Sequence, residues 1–147
     1  MAIYKPPKAR WPLAVFAGVL GLLLGIALGF VLGQEDPDAA EGVRLVQQEL
    51  AAAAAGLEVA GIEYTEAVVD GEVVSDAEYQ GSLDAIGNSR TRFESVEDAL
   101  AGLAPDLAEQ IADGFDEAES AMEDRAPTED VQALLDELSG LLKGETN

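Results

Sequence analysis

The stretch Ile62-Glu63-Tyr64-Thr65-Glu66-Ala67-Val68-Val69-Asp70-Gly71-Glu72-Val73-Val74-Ser75-Asp76-Ala77-Glu78-Tyr79 decides the fold, because one helical pattern stops inside it and another begins. Upstream of it, apolar positions recur at Val43, Val46, Leu50, Ala53, Leu57, Ala60, Tyr64 and Ala67. Steps of three and four mark the seam of a packed helix, and the pattern predicts one over 37–69. Asp36 is placed to cap it, with Pro37 at its first position. Asp70-Gly71 favours a bend and ends it. Ser75-Asp76-Ala77-Glu78 then has the spacing of a capping box, in which Ser75 and Glu78 satisfy each other's free backbone N–H groups. The β-like run Gly71 to Val74 is too short to alter an all-helical reading.

Working outward, Tyr79, Leu83, Ile86, Phe93, Val96 and Leu100 carry a second helix from Ser75 to about Leu103. Arg90 falls on that inward line and needs a carboxylate partner if buried. Ala104-Pro105-Asp106 opens a third helix, with Leu107, Ile111, Phe115, Ala118 and Met122 on one face. Ala126-Pro127-Thr128 ends it and caps a fourth, with Val131, Leu134, Leu135, Leu138, Leu141 and Leu142 facing inward. Short connections between antiparallel helices predict an all-α, up-and-down four-helix bundle over 38–143, followed by a tail, 144–147.

On the other side of a short polar linker (34–37), the run from Trp11 to Gly33 contains no charged residue. As a helix it spans about 35 Å, enough to cross a hydrocarbon core of ~30 Å. The run is longer than the apolar part of a cleaved signal peptide and lacks an Ala-x-Ala site at its end. It predicts one uncleaved transmembrane helix over 11–33, with Tyr4 and Trp11 at the interface. Lys5, Lys8 and Arg10 in the first ten residues predict a cytoplasmic N-terminus and an extracytoplasmic bundle in the cell membrane. Ala17, Gly21, Gly25, Gly29 and Gly33 recur every four residues, a small-residue face suited to close packing of membrane helices. That face would serve a homo-oligomer or a membrane transporter partner.

Charge is distributed as unevenly as hydropathy. All 29 acidic residues lie from Glu35 onward, against five basic ones, a net of −24 beyond the apolar segment. Such a surface repels nucleic acid and attracts cations or basic partners. The chain has no cysteine and no histidine. Disulfides, Cys or His nucleophile chemistry, and metal sites built on those ligands are excluded. No base, nucleophile or cofactor motif points to an enzyme. Two Glu-x-x-Glu pairs occur, Glu63/Glu66 and Glu94/Glu97. The first belongs to a denser gathering at the turn: Glu63, Tyr64, Glu66 and Asp70 before the bend, and Asp76, Glu78 and Tyr79 after it, all but Asp76 being candidate ligands. Hard carboxylate and phenol oxygens at one end of a bundle suit a hard cation such as iron(III) or calcium.

The same turn resembles the extracytoplasmic N-terminal helical domain of bacterial high-affinity iron permeases. In that family a long helix ends in a Tyr-x-x-Ala-Val-x-Asp-Gly-x-Val segment, and an acidic-Tyr pair opens the next helix. The matching positions are Tyr64, Ala67, Val68, Asp70, Gly71, Val73, Glu78 and Tyr79. The resemblance implies a membrane-tethered relative of the permease's outer domain. It does not imply transport, because the family's Arg-Glu-x-x-Glu motif is missing and Arg92-Phe93-Glu94-Ser95-Val96-Glu97 has the wrong spacing. Two functions follow as expectations. One is an accessory or cation-binding module of iron uptake. The other is a structural or interaction subunit of a membrane complex with no ligand.

Overall fold

The computed structural model describes residues 37–144. Its elements are α1 (Pro37–Ala67), β1 (Val68–Val69), β2 (Glu72–Val73), α2 (Asp76–Glu94), α3 (Glu97–Leu103), α4 (Pro105–Glu123) and α5 (Thr128–Lys143). Five helices form a four-helix bundle, with α2 and α3 sharing one corner. α1 packs along α2 and α5, and α4 closes the ring against α5, α3 and α2. Among the described residues, no helix is long and apolar enough to cross a membrane. The segment 11–33, its face of Ala17, Gly21, Gly25, Gly29 and Gly33, the cap Asp36 and the tail after Gly144 lie outside the described residues.

The heptad seam of α1 forms the spine of the core. Val46, Leu50, Ala53, Leu57, Ala60, Tyr64 and Ala67 are all buried. Opposite them lie Ile86, Phe93, Ile111, Phe115, Met122, Val131, Leu135 and Leu138. Phe93 stacks on Phe115 with ring centroids 5.7 Å apart. Each large side chain removed from water here contributes roughly 1.5–3 kcal/mol. The α1–α2 contact is close because its facing residues are small. A Cβ added at Gly56 would collide with the hydroxyl of Ser89. Ser82 and Ser89 are buried there without cost in lost hydrogen bonds, since their hydroxyls donate to the carbonyls of Tyr79 and Ala85.

Three local expectations are corrected. First, α1 stops at Ala67, short of Val69, and a two-stranded antiparallel hairpin follows, pairing Val68 with Val73 and Val69 with Glu72. Asp70 (φ 52) and Gly71 (φ 78) both adopt positive φ. Right-twisted strands joined by two residues need that conformation, and Asp-Gly is among the pairs that supply it. Second, the helix expected from Ser75 to Leu103 is broken at Ser95 and Val96. Val96 has φ −125 and ψ 0, and Val96 N–H donates to Phe93 O at 2.9 Å. Phe93, Val96 and Leu100 are buried on both sides of the break. Third, the capping box does not form. Ser75 occupies the N-cap of α2 in extended conformation, but its side chain makes no cap hydrogen bond. The stretch Ala126-Pro127-Thr128 does open α5, with Pro127 at the N-cap and Thr128 as the first helical residue.

Candidate functional site

The hairpin and the α4–α5 connection meet at one end of the bundle. α4 ends with Asp124 as C-cap and Arg125 in the left-handed region (φ 56). Arg125 N–H donates to Met122 O and Ala126 N–H to Ala121 O, the paired bonds of a Schellman turn. That turn aims backbone carbonyls at α1 and α2. Tyr64 donates its hydroxyl to Ala126 O at 2.8 Å, and Tyr79 donates to Met122 O at 3.0 Å. Thr128 reciprocates by donating to Val68 O at 3.2 Å. The tyrosine rings lie 6.4 Å apart and tilted by 46°. Two interhelical connections far apart in sequence are thereby clamped together. Burial, then the neighbouring Tyr79, raises the Tyr64 pKa above its ordinary value, with Arg125 opposing. The phenol therefore stays protonated and acts as a donor.

The six residues of the expected oxygen cluster do not share one environment. Tyr64 is fully buried, and Tyr79 is half-buried with its hydroxyl on Met122 O. Glu66 and Asp70 are exposed. Glu63 and Glu78 are half-buried, and each holds one carboxylate oxygen that is buried without a hydrogen-bond partner. The Glu63 carboxylate lies over Gly81, where a Cβ would collide with it. A buried unpartnered carboxylate oxygen is costly unless a cation, proton or water satisfies it. Among the described residues, no three acidic side chains gather as a metal cage. Both phenols already donate to backbone carbonyls, and of the four carboxylates only Glu63 and Glu78 carry a buried oxygen without a hydrogen-bond partner.

Away from this end, Arg90 lies between α2 and α4 and is half-buried. It contacts Asp116 at 2.6 Å, Glu119 at 2.8 Å and Glu94 at 3.1 Å. The hydrogen bond to Asp116 is the largest influence raising its pKa, and the guanidinium remains charged. Two further pairs tie α1 to its neighbours: Arg92 with Glu49 at 3.1 Å and Lys143 with Glu58 at 2.7 Å. Glu94 is therefore occupied with Arg90, while Glu97 opens α3, so the second Glu-x-x-Glu pair straddles the helix break.

The clamp itself was not anticipated from sequence. Val68-Val69-Asp70-Gly71-Glu72-Val73 does carry the signal of a hairpin, an Asp-Gly pair between apolar dipeptides. The carbonyl partners of the two tyrosines carry none, since any residue supplies a carbonyl.

These features define a compact four-helix module whose first and last helix pairs are locked at one end through a hairpin. The chain belongs to the family of the iron permease-associated 4-helix bundle domain, whose model matches residues 40–146. No curated protein and no solved structure matches the chain.

Proposed function

We propose that this protein is a single-pass, membrane-anchored module of iron uptake, holding its acidic bundle outside the cytoplasm beside a membrane transporter. The family match over residues 40–146 carries the reading. The uncharged run from Trp11 to Gly33 supplies the anchor, and Lys5, Lys8 and Arg10 set the orientation. The module is non-catalytic in this reading. It concentrates a hard cation, iron(III) as cargo or calcium, at the acidic surface. Glu63 and Glu78 are the proposed first contacts, supported by their unpartnered oxygens. The glycine face of the membrane segment packs against the transporter.

The test uses the intact chain in lipid vesicles, titrated with iron(III) and with calcium. Saturable binding that Glu63→Gln and Glu78→Gln each weaken supports the cation role. Binding absent, or unchanged in both variants, removes it. Affinity purification of the same chain from its membranes then asks whether a transporter copurifies.

A further inference from the structure

The outward face of α1 carries a second seam that the bundle leaves exposed at every position but the half-buried Ala52. Leu45, Ala52 and Val59 recur every seven residues, and Gln48, Ala55 and Ile62 recur every seven at an offset of three. These are a and d positions of a coiled coil, sustained over about 27 Å of helix. Leu45 is 53% exposed, Val59 47% and Ile62 61%, half of the large exposed apolar residues among those described. Isolated surface leucines need no explanation, but a heptad row of them does.

Charge sharpens the contrast. The chain beyond Glu35 is densely acidic, yet from Gly42 to Ile62 the only acids are Glu49 and Glu58. Both are neutralised from the sides, Glu49 by Arg92 of α2 and Glu58 by Lys143 of α5. A domain this acidic can approach a copy of itself only through such a window. We infer that this seam pairs with the same seam of a second copy, as a parallel two-stranded coiled coil.

Parallel order has two supports. Exposed Arg44 makes no ion pair among the described residues. It occupies a g position, and the e position it meets in a parallel pair is Glu49 of the second copy, whose carboxylate has oxygen lone pairs left beyond Arg92. In addition, α1 starts at Pro37, four residues after the apolar segment. Two chains anchored in one membrane present α1 in the same direction, which rests on the anchor proposed above. Gln48 meets its own counterpart at a d position, and a buried polar pair fixes register. The one unfavourable facing, Glu58 against Glu63 of the second copy, is relieved because Lys143 holds Glu58 and Glu63 turns toward Gly81. The seam is short, so confinement to a membrane supplies much of the effective concentration.

The chain has no cysteine, so single replacements report cleanly. Full-length Gln48→Cys, Val59→Cys and Asp113→Cys chains are expressed, membranes are sedimented, and the fractions are oxidised. The expected result is a disulfide dimer from Gln48→Cys in the membrane pellet, about tenfold above that from Asp113→Cys on the outer face of α4. Adding Val59→Asp with Ile62→Asp abolishes it, while helical content is unchanged because both sites are exposed. Cross-linking of Gln48→Cys to Val59→Cys chains, but not to itself, means an antiparallel pair and overturns the proposal. So does an adduct with a larger foreign protein, or a Gln48→Cys dimer that survives the double aspartate. Chains found in the soluble fraction refute the anchor, whereas pelleted chains without the dimer refute the seam.

Discussion

At the hairpin end of the bundle, Tyr64, Tyr79 and Thr128 carry hydrogen bonds from one interhelical connection to the other. At the opposite end, around Ser95 to Pro105, the side-chain bonds to backbone are local, Ser95 donating to Arg92 O and Gln110 to Asp106 O, and the helices nearby are linked by the part-exposed Arg92–Glu49 ion pair. There the seven-residue α3 is held by burying Val96, Leu100 and Ala104. Burial is non-directional, whereas a phenol aimed at a carbonyl fixes distance and angle. The clamped end therefore specifies which helices are neighbours, and the broken end fills the space that remains.

The strongest way to break this contrast is Tyr64→Ala, which removes a buried ring together with its hydrogen bond. It is expected to cost about 3–5 kcal/mol in urea unfolding. Leu100→Ala at the other end is expected to cost about 2–4 kcal/mol. The two differ more in amide exchange: Leu100→Ala should loosen α3 first, whereas Tyr64→Ala should lower protection in α1, α2 and α4 together. A similar stability loss with identical exchange patterns would erase the distinction between the ends.

Alkaline pH sharpens the same point. Burial raises the Tyr64 pKa above 10.0, so the folded state favours the protonated phenol. Its contribution is present below pH 10 and is lost as pH rises through the folded value. Tyr64→Phe should cost about 1–2 kcal/mol at neutral pH and reduce the decline above pH 10. A decline of unchanged steepness in Tyr64→Phe would assign it to other groups.

Arg90→Met is expected to cost about 1–2 kcal/mol, because Glu94, Asp116 and Glu119 then face one another. Raising salt should shrink the loss, since these acids are partly exposed. The smallest effect is a gain. A Cβ at Gly102 meets nothing, and Gly102→Ala in α3 should stabilise by about 0.5–1 kcal/mol.

The same contrast explains what was legible in the sequence. Seven-residue spacing fixes which side chains of α1 face inward: of the eight positions from Val43 to Ala67, Val43 is half-buried and the other seven are buried. The starts of α4 and α5 follow from Pro105 and Pro127, which cannot continue a preceding helix. The Asp70-Gly71 signal of the hairpin is offset in the sequence because Val68 and Val69 prolong the apolar pattern of α1. The break at Val96 was hidden for a related reason: Phe93, Val96 and Leu100 also suit one continuous helix face. The oxygen cluster was half visible. Sequence brings Glu63, Tyr64, Glu78 and Tyr79 to one end, but the carbonyls that engage the phenols lie 43 and 62 residues away. Once those are engaged, the carboxylates of Glu63 and Glu78 are left as the unpartnered members.

α1 has 31 residues, and most of its first two described turns stand free: Ala40, Glu41, Gly42, Arg44 and Leu45 are exposed, before Val46 enters the core. A helix resists bending over this length, so these turns form a stiff stem rather than a leash. Motion at the base of α1 reaches the bundle as tilt and rotation of a rigid body, and the hairpin at its far end sweeps the widest arc. The reach of that pole is set by the length of one helix, about 46 Å.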